Sequence, residues 1–466
     1  MTVRTQHAAA PHVVVVGGGL AGLAAAAALT DAGCRVTILE ARRRCGGRAA
    51  SFEDPLGGGL VDACQHVAMG CCTNFLDLCR WAGLDDAIRR DRTLWFVGPD
   101  GRRSRCTPWR WLPAPLHLTP LLVGMRHFGL RERLALAGGM LRLARLRADD
   151  GGAPATALEW LRGPGRQPDR VIRLFWQPVM ESALGESIDL VSVAAARKVA
   201  VDGFLAHREA ADLLVPTEPL GILFGERLVS RLEAAGVRVV TGAPVAAVER
   251  AGDGHVSAVR HGDERTACDA AIVAVPWKAA GRLVPDVVPG GDDRLAGSPI
   301  TAVHLWFDRD VVDVPHAVLV GRVSQWVFRG EPGDAPGRCQ VVISASRGLL
   351  DGDRRRLVDQ VVAELEAVFP AARGALLREA KVVTDPTAVL SVRPGVEAQR
   401  PAATTRIPNL FLAGDWTATG WPSTMEGAVR SGRAAALAAG VHLDVVVPPP
   451  AANLPRNPLV RLLAGP

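Results

Sequence analysis

Val13-Val14-Val15-Val16-Gly17-Gly18-Gly19-Leu20-Ala21-Gly22 is the stretch on which the reading turns. Four β-branched residues in a row make a short strand, and the glycines stop it at once. The Ala-rich run Leu20 to Ala32 then reads as a helix closed by Gly33, and Arg35 to Leu39 as a second strand ending on Glu40. This is a strand-turn-helix-strand unit with Gly17, Gly19 and Gly22 in GxGxxG spacing. Glycine there permits the tight turn, the close approach of a pyrophosphate and the packing of helix on sheet. The helix start, with Leu20 and Ala21 in its first turn, offers unbonded N–H groups and the positive end of its dipole to phosphates. Glu40, at the end of the second strand, can accept both ribose hydroxyls, and no arginine replaces it to meet a 2'-phosphate.

Further along, Gly46, Gly47 and Arg48 suit the other face of the pyrophosphate. Near the far end Leu412-Ala413-Gly414-Asp415 puts a carboxylate at a strand end for ribityl hydroxyls, and Met425-Glu426-Gly427-Ala428 opens a helix whose N–H groups can face the N1/C2 carbonyl side of a flavin. Pyrophosphate, ribityl and N1 sites together select FAD. The expected fold is α/β: a discontinuous Rossmann-like FAD-binding domain of the glutathione-reductase type with an inserted α+β substrate domain. The FAD-binding domain is expected over 1–99, 216–289 and 401–445, and the substrate domain over 100–215 and 290–400. Predicted elements of the second FAD block are a helix Leu220 to Ala235 and strands near Val237 to Thr241, Val245 to Glu249, Val256 to Arg260 and Ala270 to Val275. The second insertion alternates as strands at Ile300 to Phe307, Ala317 to Val320, Gln325 to Phe328 and Cys339 to Ser346, with one helix from Arg354 to Val368. The tail 446–466, with Pro448, Pro449 and Pro450, reads as a loose end.

The chain has 466 residues, enough for two or three domains with a large core. Nine cysteines occur at no zinc spacing and are expected as reduced thiols, with no metal site. Met1 to Pro11 lacks the pattern of a signal peptide, and every apolar run is broken before the ~18 residues a spanning helix needs. The net charge of +6 comes from arginines spread along the chain, which argues against nucleic acid and leaves surface solubility or an anionic membrane. A hydrophobic content of 48% with 11 Trp and no Tyr points toward an apolar substrate or a lipid surface. Residues 100–147 are the candidate membrane-facing segment: Trp109 and Trp111 are followed by apolar residues interleaved with Arg126, Arg131, Arg133, Arg142 and Arg145. The same pattern suits a helical core layer with solvated arginines. Expected placement is cytoplasmic, with a peripheral site on the inner face of the plasma membrane open to it.

Several stretches carry a resemblance. They are Asp62-Ala63-Cys64-Gln65-His66-Val67, Leu220-Gly221-Ile222-Leu223-Phe224, Ser298 to Leu305, Trp326-Val327-Phe328, Arg393-Pro394-Gly395 and Ala413 to Ala428. With them the chain resembles the amine oxidase and phytoene desaturase type of flavoprotein, and within it the squalene-associated FAD-dependent desaturases or hydroxysqualene dehydroxylases. It departs from the pattern at Asp62-Ala63-Cys64, where a glycine before Gln-His is more usual. The resemblance implies an FAD site comprising Gly17, Gly19, Leu20, Ala21, Gly22, Glu40, Ala41, Gly47, Arg48, Val245, Gly414, Asp415, Met425, Glu426 and Gly427. It implies reductive removal of the hydroxyl of hydroxysqualene, in squalene and hopanoid biosynthesis, with His66 or Asp62 as general acid and Gln65 orienting substrate or flavin. A hydrogen-bonded structural histidine answers the pattern at His66 equally. Trp160, Trp176 and Trp306 suit either an apolar tunnel or aromatic core.

Alternatives stay open: desaturation of a carotenoid precursor, in which the same flavin runs in the opposite redox direction, and a non-catalytic prenyl-lipid carrier on the same scaffold. An amine oxidase needs an aromatic cage at the flavin, which a chain without tyrosine supplies poorly. The electron donor, NADPH or a separate reductase, is not legible, since no second dinucleotide fingerprint occurs.

Overall fold

The structure is a computed structural model, and it describes residues 10–57, 59–146, 156–288 and 295–464. The junction expected at 289–290 and most of the Met1 to Pro11 stretch lie outside them. At the centre is a five-stranded parallel sheet, in the order Arg238–Thr241, Arg35–Glu40 (β2), His12–Val16 (β1), Ala270–Val273, Leu410–Leu412. Three blocks of sequence hundreds of residues apart thus share one sheet. β1 is all valine after His12 because it is buried on both faces. Val13 and Val15 enter one hydrophobic cluster with the helices, whereas Val14 and Val16 enter another with Trp277 and an antiparallel meander, Val245–Arg250, Val256–His261 and Glu264–Ala267.

On the helix-covered face the helix Leu20–Asp31 (α1) lies against the helix Met425–Leu443. The contact is backbone to backbone: a Cβ on Gly432 would sit 2.0 Å from the Ala21 carbonyl oxygen. The five alanines in succession, Ala24 to Ala28, with Ala21 and Gly22 before them, keep α1 thin enough all round for the approach. Next to them lies the helix Thr73–Trp81 (α2).

The inserted part is a seven-stranded mixed sheet in the order Leu377–Leu390, Gly297–Phe307, Arg338–Ser344, Trp326–Arg329, His316–Leu319, Leu94–Val97, Arg103–Cys106. One face is covered by the helix Arg354–Val368, which buries Leu357, Val361, Leu365 and Val368 at helical spacing and is capped by Asp353, whose side chain accepts the Arg355 N–H at 2.8 Å. The helical segments between Ala157 and Leu205 form a second core with Phe96, Val318 and Val320.

Three expectations are corrected. The insertion starts before 100, since Leu94–Val97 already belongs to the seven-stranded sheet. The 14-residue edge strand Leu377–Leu390 was not predicted; it carries Glu379, Lys381 and Asp385 on its way, which masks the alternation. The tail is not loose: the Asn74 side chain bonds both N and O of Ala451, Val447 is buried, and Pro458–Ala464 forms a helix with Val460 buried. Trp160, Trp176 and Trp306 are core residues, and the indoles of Trp176 and Trp306 donate to Gln167 (2.9 Å) and Asp54 (3.2 Å). All nine cysteines are unpaired.

Candidate functional site

Parallel pairing in register brings the strand ends to one edge of the central sheet. Val16 lies opposite Leu39 on one side and Val273 on the other, and Val273 lies opposite Leu412. Gly17, Glu40, Ala274 and the Ala413-Gly414-Asp415 turn therefore emerge together, the place where open α/β sheets bind ligands. The Gly17 N–H donates to Leu39 O at 2.8 Å, and its φ of +109° selects glycine. A Cβ at Gly22 would stand 2.0 Å from Gly17 O, so the turn and the helix start touch through bare backbone. Gly46 donates to Gly18 O at 2.8 Å, and a Cβ on Gly47 would lie 3.2 Å from Gly19 Cα, so the second glycine pair folds directly over the first. The two turns close on each other only because side chains are missing from them, and α1 starts directly behind with its first turn, Leu20 and Ala21, buried.

Glu40 is buried, with one carboxylate oxygen taking the Gly18 N–H at 2.7 Å and the other the Arg42 N–H at 2.8 Å. Each oxygen keeps a lone pair, so the group still accepts two hydroxyls while bracing the turn. Ala41 is exposed just beyond it, and Val245 opens the meander half-buried, after Ala243 has bonded Glu40 O at 2.9 Å.

At the other end Asp415 is buried and ion-paired to Arg48 at 2.5 Å, and its second oxygen takes the Ser423 hydroxyl. Arg48 also donates to Ala388 O of the edge strand at 2.6 Å, which ties the two parts of the molecule at the site. Gly414 has φ +142°, and its N–H donates to Ser431 at 2.8 Å. The whole Asp415 to Trp421 turn is pinned by Arg400, which donates to Asp415 O at 2.9 Å and Trp421 O at 2.8 Å. Arg400 was missed by sequence reading, and nothing around it announces the role.

The helix Met425–Leu443 is capped by Thr424, whose side-chain oxygen takes the Gly427 N–H at 3.2 Å. Met425 is half-buried at its start. The remaining first-turn N–H groups have no partner within the helix and give its N-terminus a positive end. Glu426 does something else. Its fully buried carboxylate takes the N–H of Asn74 (3.2 Å) and of Phe75 (2.8 Å) and the Asn74 side chain (2.9 Å), so the side chain caps α2 instead of facing a cofactor.

The segment Asp62 to His66 bridges the two parts of the molecule. Asp62 takes the Ser51 hydroxyl and the Leu220 N–H, each at 2.7 Å on the same oxygen, and so holds the start of the helix at Leu220. Burial pushes its carboxyl up to about 6. From the seven-stranded sheet, His304 Nε2 meets Ala63 O at 3.2 Å and Gln340 reaches Asp62 O at 3.5 Å. Gln65 is half-buried and donates to His66 O at 3.5 Å. His66 Nδ1 lies 2.8 Å from Cys64 O. A carbonyl only accepts, so Nδ1 carries the proton and Nε2 of the neutral ring is an acceptor. Burial lowers the His66 pKa, the Cys64 carbonyl opposes that, and the charge of Arg48 lowers it further. His66 thus sits within reach of the field of the Arg48–Asp415 pair and is neutral at neutral pH.

The chain matches the family model of flavin-containing amine oxidoreductases over residues 20–439. It is 30% identical to a hydroxysqualene dehydroxylase of Rhodopseudomonas palustris, over 92% of this chain and 99% of that one. It is 26% identical to a chloroplastic/chromoplastic 15-cis-phytoene desaturase of Solanum lycopersicum, over 94% of this chain and 79% of that one. Among solved structures it superposes on a cyclohexylamine oxidase of Brevibacterium oxydans with a TM-score of 0.66 at 19% identity, over 93% of this chain and all of the other.

Proposed function

Since the chain belongs to the family of flavin-containing amine oxidoreductases and is an FAD-dependent oxidoreductase, we propose that it reductively dehydroxylates hydroxysqualene to squalene. The observation that carries the proposal is the end-to-end similarity to hydroxysqualene dehydroxylase, 30% identical over 92% of this chain and 99% of that one. The physical fit of FAD rests on the bare-backbone turn at Gly17, Gly22 and Gly46, where a Cβ would meet the carbonyl oxygens of Ala274, Gly17 and Ala49 at 2.5, 2.0 and 2.7 Å, so that strand end and helix start close together with no side chain between them. In this reading Gly17, Gly19, Gly22, Gly47 and the start of α1 hold the pyrophosphate, Glu40 the adenosine ribose and Asp415 the ribityl chain, with the first turn of the helix Met425–Leu443 at the N1 side. Reduced FAD, when bound, supplies a hydride to the carbon that loses its hydroxyl, and the hydroxyl leaves as water with one added proton.

The chain's own residues then have two tasks. One is to deliver that proton. His66 Nε2 accepts the substrate O–H in the neutral ring and donates once the ring is protonated, so its depressed pKa makes turnover rise as pH falls below 6.5. The other is to hold the segment still, and here Asp62, bonded to Ser51 and Leu220, is a positioning residue. Two variants separate these roles. Asp62→Asn keeps an oxygen acceptor for both donors and should retain most of the single-turnover rate, whereas His66→Gln should lose about 10²-fold and its acid-side rise. An unchanged rate and pH profile in His66→Gln would remove His66 from the reaction.

A second reading, desaturation of a carotenoid precursor, is supported by the similarity to 15-cis-phytoene desaturase over 94% of the chain. Product analysis distinguishes them: the first consumes reduced enzyme and hydroxysqualene, the second oxidised enzyme and a phytoene-like polyene.

A further inference from the structure

A helix on the surface of a globular protein turns its apolar stripe inward and its polar side outward. The helix Leu130–Ala144 does so only in part. Leu136 and Leu143 are buried, but Leu130, Leu134 and Leu141 project on the opposite side, within an arc of ~40° at 3.6 residues per turn. Leu130 is 74% exposed and Leu134 64%. The stripe is flanked by Arg131 and Arg145, both exposed, and preceded by exposed Arg126; none of the three guanidinium groups has a hydrogen-bonding or ion-pair partner among the described residues.

Two other segments near this helix also expose apolar side chains. The loop after Cys106 exposes Trp109 and Trp111, stacked with ring centroids 5.6 Å apart, Trp111 being 74% exposed. The C-terminal helix Pro458–Ala464 exposes Leu462 at 84% beside Arg461. The leucine helix and the C-terminal helix share one buried base, in which Leu118, Ala144, Val201 and Leu205 pack together with Ala464, and the tryptophan loop is tied to it where the Trp109 N–H donates to His117 O at 2.9 Å, next to Leu118. Arg197 locks it by donating to Ala144 O at 3.3 Å and Ala464 O at 2.9 Å. The charge along this stretch is mostly positive: between Thr107 and Leu146 there are six arginines and one acid, Glu132, which is bonded to Arg170 at 2.8 Å, and of the six only Arg110 is ion-paired among the described residues, to Glu209 and Asp212.

We propose that this face docks on an anionic phospholipid bilayer. Trp109, Trp111 and the leucine stripe enter the boundary between headgroups and acyl chains, and Arg126, Arg131 and Arg145 pair with lipid phosphates. The charge selects this occupant over a second copy of the chain, because a twofold contact would set the arginine row against itself. The described helices include none long and apolar enough to cross a membrane, so the contact is with one leaflet. The proposal does not depend on which reaction the flavin site carries.

The test is co-sedimentation of the yellow holoprotein with vesicles of phosphatidylcholine alone or mixed with phosphatidylglycerol, at low and high salt. Binding should be at least ~10-fold tighter to the anionic vesicles and should weaken with salt. Leu130→Asp with Leu134→Asp should lower it at least ~10-fold, with flavin absorbance and melting temperature unchanged, since both sites are exposed. A second variant, Arg126→Glu with Arg131→Glu and Arg145→Glu, should remove the preference for anionic lipid. Equal binding to both vesicle types, no binding, or wild-type binding by the leucine variant would overturn the proposal. So would a dimer in sedimentation velocity that the leucine variant dissolves, which would give the face to a second copy.

Discussion

Gly22→Ala perturbs the glycine turn at its narrowest point. The added Cβ would lie 2.0 Å from Gly17 O, more than ~1 Å inside an ordinary contact, and 3.1 Å from Gly17 C. Gly17 cannot give way alone, because its N–H is bonded to Leu39 O at 2.8 Å and a Cβ on Gly17 itself would be 2.5 Å from Ala274 O. The first turn of α1 must therefore shift outward by about 1 Å. That costs about 1–3 kcal/mol of folding stability, as other overpacked sites do. It also moves the N–H groups off the line to a phosphate; losing two such charge-assisted bonds, at about 1.5 kcal/mol each, raises the FAD dissociation constant at least ~100-fold. The assay is titration of deflavinated protein with FAD, read by quenching of flavin fluorescence, beside a thermal melt. Gly252→Ala is the control, a glycine with nothing within 4 Å, and should bind FAD as the wild type does. Stoichiometric FAD of wild-type affinity in Gly22→Ala would refute the assignment of the turn to the pyrophosphate.

Other outcomes follow from the same geometry. Glu426→Gln leaves at least one of the Asn74 and Phe75 N–H groups facing an amide NH2, so a melt should show a loss of about 1–3 kcal/mol while the folded fraction keeps its FAD; loss of flavin without loss of stability would contradict the capping role. Glu40→Ala with Asp415→Ala should empty the protein of FAD as isolated, and full occupancy would sink both assignments. His304 is buried, and desolvation lowers its pKa to about 4. The unfolded chain takes up the proton near 6.5 and the folded one does not, so stability falls as pH drops from about 6.5 to about 4, by up to about 3 kcal/mol from this group. His304→Gln should flatten that part of the curve of unfolding free energy against pH, and an unaltered slope would count against it.

What the sequence made legible is the FAD half, and the reason is locality. A βαβ unit with a glycine turn has to fold from forty consecutive residues, and strand-end acids such as Glu40 and Asp415 are named by their own neighbours. Glu426 shows the limit. Its place at a helix start pointed to the flavin, but its partners, Asn74 and Phe75, lie some 350 positions away, and only the packing of α2 against the last helix brings them there. Gly432 was likewise silent, since its need for a bare backbone comes from Ala21 on another helix. Arg400, the hub of the Asp415 turn, lies in a stretch without regular pattern. The edge strand Leu377–Leu390 was hidden by charges on an exposed side, and the tail by prolines that shape a path over the surface without freeing it.

The central claim is the direction and substrate of the flavin chemistry, and an anaerobic single turnover addresses it most directly. The purified yellow protein is photoreduced, hydroxysqualene is added in detergent, and flavin reoxidation is followed by absorbance while squalene is quantified by gas chromatography. The account predicts squalene appearing in step with reoxidation, one for each flavin. Reduced flavin that persists, with no squalene formed, would contradict it.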